Sequence, residues 1–262
     1  MTDAKQNTAE TQKISAEVLP WKTWLAVVFV VVIFVVSQLA ASIIVSFYPL
    51  AQHMTTAQAN DWLNDSVFGQ FVFILLAEAI VLGALYAFLK RYNVSWQAIG
   101  LRRPRWKDLG WGLLALPAYM LFYLLFVSVA SLIFKGLDVN QEQQIGFQNV
   151  SGLVPLAITF ASLVILPAFT EEVLMRGFLY GSLKKALPLI WAALITSVLF
   201  AVAHLPEGGD AGPLYIAGID TFVLSLVLIY LREKTDGLWA PITLHALKNG
   251  IAFTALFVLH LS

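Results

Sequence analysis

Residues Trp24–Tyr48 read WLAVVFVVVIFVVSQLAASIIVSFY, 25 residues without a charge. At about 1.5 Å of rise per residue such a helix is about 37 Å long, enough to cross a hydrocarbon core roughly 30 Å thick. A barrel strand would alternate polar and apolar positions, and this run does not. In lipid a helix satisfies its own backbone groups, so the stretch predicts a transmembrane helix.

Six more stretches of this kind follow: Val67–Leu89, Leu109–Phe134, Leu153–Tyr180, Leu187–His204, Leu214–Leu231 and Leu238–Leu261. The fourth is long enough to tilt, kink at Pro167 or run past the membrane. Composition agrees. Hydrophobic residues make up 59% of the 262 residues and charged ones 12%, about half the charge of a soluble domain. Sixteen acids against sixteen bases, with no cysteine, argue against a nucleic-acid binder, a disordered chain or a disulfide scaffold. The fold class read here is an all-α membrane protein, a polytopic bundle of about seven transmembrane helices.

Residues 1–23 form a polar tail without the basic start and small-residue cleavage site of a secretory signal. Residues 24–149 hold the first three spans and a basic loop, and residues 150–262 hold the last four. Seven spans alternate the loops between two sides. Thirteen of the sixteen basic residues fall on one side, led by Lys90, Arg91, Arg102, Arg103, Arg105 and Lys107, while the opposite loops hold only Lys135. The positive-inside rule then makes the N-terminus cytosolic and the C-terminus external, in the cell membrane for a prokaryotic source. Trp96, Trp106 and Trp111 around the basic loop predict a partly helical segment lying along the headgroups.

The informative residues are the ionisable ones inside spans, each costing about 2.5–3.5 kcal/mol at a helix centre. They are Glu78, Glu171, Glu172, Arg176, His204, Asp220, His245 and Lys248, with Asn249 beside them. Counted from the nearest cytosolic anchor (Lys184, Pro188 or Asp236), Glu171, His204 and Asn249 lie about 20–24 Å deep and His245 about 14 Å deep, so these groups can share a layer. Asp220 and Lys248 come to comparable depth and are expected to pair. Glu78 reaches the same layer and is read as a structural hydrogen-bonding group. Glu172 and Arg176, at i and i+4, share a helical face, so one carboxylate is neutralised locally while Glu171 is free to be tuned. His245 and Asn249 share a face in the same way. Two histidines, an asparagine and a carboxylate pair supply a base and an oxyanion partner, the requirements of water-mediated acyl hydrolysis. The same groups suit zinc, and they also suit a buried charge cluster that only fixes packing.

Glu-Glu-x-x-x-Arg (Glu171, Glu172, Arg176), Phe-x-x-x-His (Phe200, His204) and His-x-x-x-Asn (His245, Asn249) occur in that order on successive spans. This pattern closely resembles the CPBP family of intramembrane proteases: type II CAAX prenyl endopeptidases and the bacteriocin-processing or immunity proteins of the Abi group. The resemblance covers roughly residues 150–255 and makes 150–262 the CPBP-like catalytic core. It implies that Glu171 and His204 hold and activate a water, that His245 and Asn249 stabilise the oxyanion, and that Glu172, Arg176 and Phe200 support the site. No cofactor is favoured; if zinc is bound, Glu171, His204 and His245 are its ligands. The expected partners are membrane lipid and a peptide or membrane-protein substrate, prenylated in one branch of the family, with no nucleic acid. The expected activity is an intramembrane endopeptidase whose site opens to the cytosol or to lipid. The alternatives are a zinc metalloprotease using the same residues and a non-catalytic immunity or scaffold protein.

Overall fold

The uncharged runs become helices, and these end where charge or a breaker enters. The computed structural model describes residues 19–260 apart from 142, 144, 145, 148 and 149; residues 1–18 of the expected tail lie outside them. The helices are α1 (Thr23–Ala51), α2 (Thr56–Asp65), α3 (Val67–Arg91), α4 (Trp106–Ile133), α5 (Leu153–Lys184), α6 (Leu189–His204), α7 (Tyr215–Thr235) and α8 (Trp239–Val258). All except α2 are long and apolar enough to cross a membrane. No strand occurs among the described residues. Helix α2 is short and polar, and Thr55 and Gln58 close its N-terminus as a reciprocal cap.

The basic segments meet at one end of the bundle, hereafter the basic end. Lys185 donates to the carbonyls of Leu19 (2.6 Å) and Trp21, and Trp21 Nε1 donates to Ser182 Oγ at 2.8 Å. Lys184 pairs with Glu233 at 2.6 Å. The basic segment between α3 and α4 agrees with expectation only in part: Trp106 and Trp111 lie on the first turns of α4, whereas residues 92–105 contain no helix and fold into the bundle end. The cause is local. Gly100 has φ +95°, and a Cβ there would meet the Arg232 guanidinium at 2.6 Å. Ile99 is 1% exposed, and Leu238 N donates to Gly100 O at 3.1 Å. Arg102 grips Asp108 through two 2.7 Å bonds and also donates to Thr235 O, an orphan carbonyl at the end of α7. Part of the positive charge of the loop is therefore spent on tying helix ends together.

Behind this end the rings of Trp21, Phe29, Phe88, Tyr92 and Phe178 interlock, with neighbouring centroids 4.9–5.5 Å apart. Helix α5 passes through the middle of the bundle and is not a uniform α-helix. Residues Ala161–Ile165 and Glu172–Leu179 are π-helical, on either side of Pro167. Proline has no N–H to give the carbonyl four residues back, here Leu163 O, and Asn249 Nδ2 donates to that carbonyl at 3.1 Å. A sequence break in one span is thus repaired by a polar side chain from another.

Candidate active site

The second π segment of α5 begins at Glu172, so the paired carboxylates straddle a change of helical pitch, a feature common at functional sites. Glu172 turns inward. Its Oε1 accepts from Arg176 Nη1 at 2.9 Å and from His245 Nδ1 at 2.8 Å. Glu172 and Arg176 are fully enclosed, and the guanidinium lies over the Phe200 ring, 4.2 Å from its centroid. Stacking and the carboxylate together hold a cation that would be costly to bury alone.

Glu171 faces a cavity of about 740 Å³. Its side chain is 27% exposed, yet Oε2 is enclosed and has no hydrogen-bond partner among the described residues. That oxygen stands 3.8 Å from His245 Nε2 and 4.0 Å from His204 Nε2. His204 Nδ1 donates to Phe200 O at 2.7 Å, and His245 Nδ1 donates to Glu172. In its neutral form each imidazole therefore carries its proton on Nδ1 and turns its Nε2 lone pair toward the carboxylate. Three acceptors converge at separations beyond a direct hydrogen bond.

Cysteine is absent from the chain, so a metal would need these nitrogen and oxygen donors. Their chemistry suits zinc, and Glu172 behind His245 is the outer partner that a metal-binding histidine usually has. Their placement does not fit: among the described residues no three His, Asp or Glu side chains stand close enough together to hold an ion.

All the motif residues that were expected to act directly, Glu171, His204, His245 and Asn249, line the one cavity, as does Phe200. Glu78 borders it from α3. Lys248 and Asp220 pair at 2.8 Å, as expected, and Tyr119 donates to the second oxygen of Asp220. Two contributors were not singled out from the sequence. Glu207 Oε1 lies 3.8 Å from His204 Nε2, and Gln143 Nε2 donates to Glu207 Oε2 at 2.8 Å. Glu207 sits in the 3₁₀ turn Leu205–Ala211 that extends α6. Its i+3 spacing from His204 was a signal, masked by Pro206 and Gly208, which read as the end of the span.

Residues 153–251 match the family described as type II CAAX prenyl endopeptidase Rce1-like. The matched residues make up less than half of the chain. This stretch contains all three motifs and every residue that meets Glu171 through a histidine. A curated protein of Bacillus subtilis (strain 168), "Putative membrane peptidase YdiL", is 27% identical over 114 residues. The match spans 44% of this chain and 43% of that protein, less than half of either. No solved structure matches the chain. The seven apolar helices support an integral multi-pass membrane protein.

Proposed function

We propose that the chain is an intramembrane endopeptidase in which Glu171 is the general base. The observation that carries this reading is the unpartnered Glu171 Oε2, faced by the Nε2 lone pairs of His204 and His245. A water between these groups can donate its two protons to two of three acceptors, which leaves an oxygen lone pair for attack. As the water oxygen bonds to the substrate carbonyl carbon, Glu171 takes the proton and the carbonyl oxygen becomes an oxyanion. Glu171 then passes the proton to the peptide nitrogen, the C–N bond breaks, and a carboxylic acid, which keeps the second proton of the water, and an amine leave.

The tautomers sharpen the division of labour. With Nδ1 donating to Glu172, His245 works from Nε2 as an acceptor that orients the water. The oxyanion falls to Asn249, whose amide keeps a second N–H beyond the one given to Leu163 O. Glu172, Arg176 and Phe200 hold His245 in place. Residues 150–262 serve as the catalytic core, and α1 and α3 complete the cavity wall. The topology that goes with this reading has a cytosolic N-terminus and an external C-terminus.

Replacement of the base tests the assignment. Glu171→Gln keeps the shape and removes the proton acceptor; cleavage is expected to fall by about 10²–10⁴-fold, with the unfolding midpoint in detergent retained. The readout compares new peptide termini in membranes carrying either form. Undiminished cleavage by Glu171→Gln sinks the reading.

A further inference from the structure

The basic end holds more cations than its acids can use. Its described acids are all taken: Asp108 by Arg102 and Arg105, Glu233 by Lys184, and Asp236 by Arg232. Lys107 and Lys234 are exposed, and neither has a carboxylate within ion-pair distance among the described residues. The two come together from different helices. Arg105 Nη2 donates to Thr235 O at 2.7 Å, which draws the end of α7 against the start of α4. Lys234 Nζ then lies over the Trp111 ring, 5.1 Å from its centroid, where the face of the indole attracts the ammonium. Lys107 is on the same face of α4, one turn before Trp111. It stands in the first turn of that helix, where the dipole opposes a cation and favours an anion. An anion between the two ammoniums answers both charges.

The rest of that face is apolar and open. Lys107, Trp111, Leu114, Leu121 and Leu125 follow one another at spacings that keep them on one side of the helix. The three leucines are 72%, 66% and 54% exposed, and α4 is the least buried of the seven spans. From Trp111 to Leu121 the helix rises about 15 Å, half of a hydrocarbon core roughly 30 Å thick. The face therefore has the proportions of one lipid molecule in one leaflet, charged at the head and apolar along the chain.

We propose that this face of α4 binds an anionic phospholipid, its phosphodiester between Lys107 and Lys234 beside Trp111 and an acyl chain along Leu114 and Leu121. The phosphate oxygens accept from the two ammoniums. A zwitterionic lipid brings a cationic group of its own to the same place, so the site discriminates by net charge. Arg102 and Arg105, which tie α4 to α7, keep the two lysines in register. The site depends neither on the peptidase reading nor on which side of the membrane this end faces.

Native mass spectrometry of the full chain, delipidated in detergent and titrated with phosphatidylglycerol or phosphatidylcholine, reads the site. The unaltered chain is expected to retain one phosphatidylglycerol in preference to phosphatidylcholine. Lys107→Gln combined with Lys234→Gln is expected to weaken that adduct about 30-fold. Lys90→Gln combined with Arg91→Gln removes the same charge from α3 at the same end and is expected to leave the adduct unchanged. Trp111→Leu keeps an apolar side chain but removes the ring beneath Lys234, and a smaller weakening is expected. Lys234→Gln alone repeats the measurement should the double variant fail to fold. The proposal is overturned if both charge-removing pairs weaken the adduct equally, which would mean diffuse attraction to the whole end. It is also overturned if phosphatidylcholine is retained as well as phosphatidylglycerol. Displacement of the lipid by inorganic phosphate, but not by chloride at equal ionic strength, would overturn it in favour of a free-phosphate site.

Discussion

The two halves of the bundle are made of the same apolar helices and are finished differently. At the basic end the aromatic rings interlock, Trp21 finds Ser182, and Arg102 finds both Asp108 and the last carbonyls of α7. Enclosed atoms without hydrogen-bond partners among the described residues occur towards both ends, Tyr180 Oη and Arg232 Nε near the basic end, but they cluster at the cavity, where Glu171 Oε2, Glu172 Oε2, and Arg176 Nε and Nη2 stand together. Each enclosed orphan costs about 1–3 kcal/mol, and such a cost is sustained only when the rest of the structure over-determines the geometry. The well-packed half holds the helices in register. The half that holds the cavity leaves the Glu171 carboxylate facing open space.

This division makes graded predictions. The largest is at the aromatic plug: Phe178→Ala removes a ring in contact with Trp21, Phe29 and Phe88 and is expected to cost about 3–5 kcal/mol. Chemical or thermal unfolding in detergent reads it, and an unchanged midpoint would mean that the basic half is not the stabilising one. A smaller loss is expected at the cavity edge. Asp220→Asn weakens the contact with Lys248, whose side chain is 26% exposed, and partial solvation limits the cost to about 1 kcal/mol. A shift as large as that of Phe178→Ala would place a structural keystone inside the cavity half. The smallest concerns the rim. Gln143→Ala removes one exposed bond to Glu207 and should leave stability within about 0.5 kcal/mol, so a midpoint shift well beyond that would make Gln143 part of the stabilising core.

Much of this was legible beforehand, for reasons that differ by residue. Span positions are set by charge-free runs, and helix ends agree with expectation within a few residues because charges and prolines mark them. The Glu172–Arg176 pair follows from i,i+4 spacing alone. The Asp220–Lys248 pair follows from depth, since two unlike charges in one lipid layer have few other partners. The segment from Trp96 to Trp111 was legible only in part: its end is helical, but residues 92–105 are not. Tryptophan and arginine at an interface suggest a surface helix, and nothing local reveals that Arg102 is claimed by Asp108 and Thr235. Glu207 was overlooked because a Pro and glycines next to a histidine read as a terminus, although the chain continues as a 3₁₀ turn.

By itself the sequence determined the solvent, the helical class, the order of the motifs and which carboxylate has a local counter-charge. These depend on composition and on spacings within one helix, which the chain fixes before it folds. Only the tertiary structure decided that Asn249 repairs the backbone at Pro167, that both imidazoles turn Nε2 toward Glu171, and that one end of the bundle is plugged while the other reaches the cavity. Those are relations between different helices, and no spacing along the chain encodes the distance between two side chains that meet only when the helices pack.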